Sequence, residues 1–147
     1  MTILPPVRRE VIVDAPPERA FAVFTDEIGR WWPMVGHSVY GATAAVGFDD
    51  GRIVERSAEG EQAVWGTVTK WDPGRVVSFT WHPGHDADRA SAVTVTFHDR
   101  GERTLVVLEH TGWEIYADPE AARAEYHGGW VGVLDRYQKA TTSMVGR

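Results

Sequence analysis

The last thirty residues most restrict what this chain can fold into. Asp118-Pro119-Glu120 reads as a helix start, with Asp at the N-cap and Pro at the first helical position. Tyr126, Trp130, Val133, Leu134, Tyr137 and Met144 then recur at helical spacings of three and four. The segment predicts one helix from Pro119 to about Ser143, with an apolar stripe that must be covered. Three glycines, Gly128, Gly129 and Gly132, interrupt it beside a tryptophan. Each costs roughly 1 kcal/mol relative to alanine inside a helix. Either they let the helix lie close to its neighbours, or they leave a gap that a guest molecule can occupy. Close packing is the favoured expectation.

The rest of the chain supplies the cover. Val7, Val11 and Val13 share one face of an opening strand, with Arg8, Glu10 and Asp14 on the other. Asp14-Ala15-Pro16-Pro17-Glu18 starts a short helix that puts Phe21 and Phe24 on one side. Thr25-Asp26 predicts a second helix through Ile28 to Trp31-Trp32, stopped by Pro33. From about Val46 to Trp113 strand-like runs follow: RIVER, QAVWGTVTKW, RVVSFTW, SAVTVTFH and TLVVLEHTGW. Asp49-Asp50-Gly51, Ala58-Glu59-Gly60, Asp72-Pro73-Gly74, Pro83-Gly84 and Arg100-Gly101 punctuate them as turns. The economical arrangement is α+β: a curved antiparallel sheet wrapped around the long C-terminal helix. Trp65 and Trp71 fall on the same strand face only if no bulge intervenes.

Composition excludes several classes. With 147 residues the chain suits a single domain, 1–147, and can bury roughly 70% of its unfolded surface. Net charge is −6 and Arg8-Arg9 is the only adjacent basic pair, which argues against a nucleic-acid groove or an anionic membrane surface. There is no cysteine, hence no disulfide and no thiolate metal site. Residues 1–10 lack the apolar core of a signal peptide, and no stretch reaches membrane-spanning length. The expectation is a soluble cytoplasmic protein. Seven tryptophans are the unusual number: Trp31, Trp32, Trp65, Trp71, Trp81, Trp113 and Trp130. They fill a core or line a hollow.

The order of these elements and several short stretches resemble the SRPBCC (START / birch-pollen-allergen-like) superfamily, and within it the branch named for the activator of the heat-shock-protein-90 ATPase. Ala15-Pro16-Pro17-Glu18-Arg19-Ala20-Phe21, Arg30-Trp31-Trp32-Pro33 and Gly51-Arg52-Ile53-Val54-Glu55-Arg56 carry the likeness. So do Trp65-Gly66-Thr67-Val68, Trp71-Asp72-Pro73, Phe79-Thr80-Trp81, Thr104 to His110 with Gly112-Trp113, and Gly129-Trp130. The resemblance implies a helix-grip fold with a cavity between the C-terminal helix and the concave sheet. It implies no single chemistry, since relatives include lipid carriers, cyclases, hormone receptors and co-chaperones. The co-chaperones of that name carry an additional N-terminal domain, for which this chain has no room. A chaperone partner and a homodimer remain readings that rest on the resemblance.

Candidate site residues follow from alternation. Trp65, Phe79, Trp81, His110, Tyr126, Trp130 and Leu134 are expected to line the interior, with Trp31, Trp32 and His37 near an entrance. His110 shares its strand face with Val106 and Leu108; a histidine there is ordinarily a satisfied core residue. Glu55 alternates with Ile53, and a buried carboxylate is costly unless paired. If both face inward, they orient a polar group on a ligand. The alternative is a cyclase- or hydrolase-like enzyme using them as acid and base. His82, His85, Asp86 and Asp88 have metal-capable spacing, but Pro83-Gly84 makes the segment a turn. No triad order, phosphate loop or paired carboxylates appear, and neither a cofactor nor a metal is expected. The reading is a binding protein for a small hydrophobic or aromatic molecule.

Overall fold

The computed structural model describes residues 4–145, with side chains through residue 142; Met144 of the predicted helical stripe lies outside the described side chains. Seven strands form one sheet: β1 (Val7–Val13), β2 (Ala45–Asp49), β3 (Arg52–Arg56), β4 (Gln62–Asp72), β5 (Val76–Trp81), β6 (Ser91–Arg100) and β7 (Arg103–Thr111). Their order is β1-β7-β6-β5-β4-β3-β2, every neighbouring pair antiparallel. Six strands therefore follow one another as hairpins, and the first closes against the last. Helix α1 (Pro17–Phe24) follows β1, and helix α2 (Pro119–Val145) ends the chain. This is the helix-grip fold.

Local chemistry sets the hairpins. The β2–β3 turn has both central residues, Asp50 and Gly51, at positive φ (52° and 74°), the conformation that matches the twist of a tight hairpin. The β4–β5 hairpin bends so closely at Gly66 that an added Cβ would stand 1.8 Å from the Thr80 carbonyl oxygen. Only glycine fits there.

Two bulges change the register of β4. Val54 pairs with Val64 but Ile53 with Gly66, leaving Trp65 as an extra residue. Val68 pairs with Phe79 but Lys70 with Ser78, leaving Thr69 as another. Each bulge flips the alternation and the second restores it. Trp65 and Trp71 thus both turn toward core aromatic rings: Trp65 is fully buried, and Trp71 is 45% exposed with its ring 5.1 Å from Phe21. The condition that the two share a face only without a bulge is corrected: two bulges intervene, and the second cancels the shift of the first.

The second short helix is also corrected. It is a single 3-10 turn, Ile28–Arg30, that ends before the tryptophan pair. Trp31 falls at its C-cap, so the two tryptophans leave the turn in an irregular segment and point to different neighbours.

Asp118 does cap α2, its Oδ1 accepting the Ala121 N–H at 3.1 Å. The helix is tied along its length to the first fifth of the chain. Arg123 reaches Pro5 and Pro6, Arg9 reaches back to His127, Gln138 reaches Ile12, and the Tyr137 hydroxyl donates to Ala20 at 2.7 Å. Burial pushes the Tyr137 phenol pKa up, so it stays protonated as that donor. Beneath the helix, Phe24, Trp31 and Tyr137 pack with ring centroids 5.2–5.4 Å apart.

Candidate functional site, an aromatic cleft at the glycine turn of the last helix

The glycines of α2 have open space where a side chain would begin. A Cβ built on Gly128, Gly129 or Gly132 meets no atom within 4 Å. The expectation of close packing is therefore wrong: Gly128 and Gly132 are exposed to solvent, and Gly129 alone is half-buried. Gly129 borders a cleft of about 500 Å³, within the usual range of roughly 300–1,000 Å³ for small-molecule sites.

Three elements wall it. Helix α2 contributes Glu125, Tyr126, Gly129, Trp130 and Val133, one stripe at spacings of three and four. The segment after the 3-10 turn contributes Trp32 and residues 36–39, and the end of β5 contributes Trp81 with Pro83 and Gly84. The indole of Trp81 lies 5.5 Å from that of Trp130 and 5.7 Å from that of Trp32, centroid to centroid. Tyr126 stacks on Trp130 at 28° between planes.

Each indole N–H on this wall is held, so the rings are fixed. Trp32 donates to the His37 carbonyl (2.8 Å), Trp81 to the Tyr126 hydroxyl (3.2 Å) and Trp130 to His110 Nδ1 (3.0 Å). The three indoles are buried to 6% exposure or less, and Tyr126 is the half-buried ring of the wall, so a guest meets the indoles only along the edge of the cleft.

His110 sits behind the wall, fully buried. An indole N–H can only donate, so Nδ1 accepts from Trp130 and the ring proton lies on Nε2. Nε2–H then donates to Ser91 Oγ at 2.7 Å. Ser91 also meets the Tyr116 hydroxyl at 3.0 Å and donates to the Trp81 carbonyl oxygen at 3.2 Å. Burial lowers the His110 pKa from 6.5 to about 3, so the ring is neutral. The Ser91–His110 pair has the separation of a nucleophile and its base, but its proton points the wrong way for one. Burial likewise raises the pKa of Tyr126, with nearby Tyr116 adding to the shift, and keeps its phenol protonated.

Glu55 is occupied elsewhere. Its carboxylate accepts the Val39 and Tyr40 backbone N–H groups, both at 2.8 Å, and the Trp65 indole N–H at 2.9 Å. It clamps the segment that borders the cleft and does not itself line it. The expectation that Glu55 and His110 together orient a ligand, or serve as its acid and base, is corrected: each is fully engaged by protein donors and acceptors and neither reaches the cleft.

The other expected residues separate in the same way. Trp32, His37, Trp81, Tyr126 and Trp130 are brought together at the cleft. Trp65, Phe79 and Leu134 lie in the buried cluster behind it. Trp31 is no entrance residue: it does not border the cleft, and its N–H is taken by the Val23 carbonyl at 2.8 Å. Glu125, Val133, Gly36, Ser38, Val39, Pro83 and Gly84 are cleft residues that the sequence reading missed. The first two share the Gly129 stripe, which was the available signal. At the β5–β6 turn His82 Nδ1 meets the His85 carbonyl, and among the described residues no three His, Asp or Glu side chains gather as around a metal ion. No helix of the described residues is long and apolar enough to cross a membrane.

A helix-grip protein with an aromatic cleft at the helix is the class these features define. The sequence profile of the "Activator of Hsp90 ATPase homolog 1-like protein" family matches residues 14–141, and the chain belongs to that family. Among solved structures it is similar to the self-sacrificing resistance protein CalC from Micromonospora echinospora, with 30% identity, 95% of this chain and 96% of that one covered, and a TM-score of 0.71. It is similar also to Txn09, an anthrahydroquino-γ-pyrone synthase solved as a complex, with 29% identity, 95% and 99% covered and a TM-score of 0.62. The Aha1 dimer from Colwellia psychrerythraea shares the fold at 15% identity, 95% and 97% covered, TM-score 0.62. No curated protein matches the sequence.

Proposed function

We propose that this protein binds a small, flat aromatic molecule in the cleft between Trp32, Trp81, Tyr126 and Trp130. The observation that carries the reading is the combination of fixed aromatic walls with a helix that leaves room beside them. A core designed only for stability gains nothing from Gly129, which borders the cleft without filling it and weakens the helix by roughly 1 kcal/mol. Aromatic walls favour stacked or edge-on rings as guests. Txn09, by its description, makes an anthrahydroquino-γ-pyrone, and this likeness supports a fused-ring guest here. Glu55 serves the site indirectly by holding the segment that carries His37 and Val39.

The test uses the indole N–H resonances of the seven tryptophans during titration with a panel of anthraquinones and naphthopyrones. Trp32, Trp81 and Trp130 are expected to shift, and Trp71, packed against Phe21 and Phe48 outside the cleft, is expected to stay. If no member of the panel moves the three wall resonances, or all seven move together, the binding reading is wrong.

A further inference from the structure

We infer that the cleft selects guests carrying a positive charge at their edge, with Glu125 as the residue that sets this preference. The inference rests on the binding reading above and adds the charge of the ligand. Among the cleft-lining residues Glu125 is the single acid, and no Lys or Arg accompanies it. Among the described residues it enters no ion pair.

The basic residues near it in sequence are directed elsewhere. Arg123, two positions away and so on another side of the helix, is held by the Pro5 and Pro6 carbonyls. Arg9 is held by the carbonyl and ring of His127. Glu125 thus stands at the solvent-exposed rim of the cleft with no ion-pair partner among the described residues, its charge acting on the neighbouring Tyr126. The walls add to its effect, because aromatic faces attract cations through their quadrupoles. A protonated amine on a fused-ring guest would meet π faces and a carboxylate together. A guest with an anionic edge would meet repulsion from both.

Three probes on one ring system separate charge from stacking: 9-aminoacridine, cationic at neutral pH, neutral acridone and anionic acridine-9-carboxylate. Dissociation constants come from the Trp32, Trp81 and Trp130 indole resonances at low salt. The cation is expected to bind about three- to ten-fold more tightly than acridone, and the anion more weakly than either. In Glu125→Gln the cation should lose roughly two- to five-fold in affinity while acridone is unchanged. Equal affinities in the unaltered protein, or an unaltered cation preference in Glu125→Gln, would overturn the inference while leaving ring binding intact. If none of the three moves the wall resonances, the binding reading itself fails, and this inference with it.

Discussion

Trp31 and Trp32 are adjacent in sequence and belong to opposite kinds of interior. Trp31 sits in a solid aromatic core with Phe24 and Tyr137, its N–H closed off by the Val23 carbonyl. Trp32 sits against Trp65, Trp81 and Trp130, and one side of that group opens onto the cleft. Two stretches of α2 about two turns apart explain the difference. Toward its C-terminus the helix presents Leu134 and Tyr137, which fill the space beneath it. One to two turns earlier it presents Gly129, which does not. Aromatic content alone does not separate a core from a site; the residue facing the rings decides.

Breaking the solid end should cost most. Trp31→Ala removes a fully packed indole and leaves the Val23 carbonyl without its donor, for an expected loss of about 3–5 kcal/mol in denaturant unfolding. A loss below about 1 kcal/mol would mean that this end is hollow too.

Glu55→Gln reaches the cleft from behind. The amide offers one acceptor oxygen where the carboxylate received three N–H donors, so about 1–3 kcal/mol of stability should go. The Val39 and Tyr40 amides should also exchange faster with solvent. Unchanged exchange at those two residues would show that the clamp does not hold the segment.

Acid should act through His110. Its pKa is 6.5 in the unfolded chain and about 3 in the fold, so between these values the unfolded state binds the additional proton. Its contribution is complete above pH 6.5 and is lost as pH falls toward 3, by up to about 1.4 kcal/mol per unit. Comparing unfolding free energies of the unaltered protein and His110→Gln across this range isolates the effect. Parallel pH curves would contradict the neutral, buried imidazole.

Helix alanines should give the smallest effect, with the opposite sign. Gly128→Ala and Gly132→Ala face open space and should each stabilise by up to about 1 kcal/mol. A lower melting temperature in either would mean that the helix packs more closely than described.

Element order was legible before any coordinates, because alternation, turn residues and a Pro-led helix start are local signals. The Asp118 cap and the six consecutive hairpin strands come from such signals. The bulges in β4 were not legible, since a register shift depends on the partner strands β3 and β5 and leaves no mark in β4 itself. Glu55 could be read as an acid on an apolar strand face. Its partners could not, because the Val39 and Tyr40 N–H groups lie in an irregular segment with no periodicity. The same limit hid which of the two tryptophans borders the cleft: both are buried, and the helix expected to carry them ends at Arg30. The glycines were noticed, but sequence spacing cannot tell a close neighbour from an empty one.

The central claim is that the glycine turn of α2 keeps an aromatic cleft open for a guest, and Gly129→Leu tests it most directly. A leucine there improves helix propensity by up to about 1 kcal/mol and fills the space beside Trp130. Titration of the variant with an anthraquinone that binds the unaltered protein should show a melting temperature at or above the original and no movement of the Trp32, Trp81 and Trp130 resonances. A folded variant that binds the same anthraquinone with undiminished affinity would contradict the account.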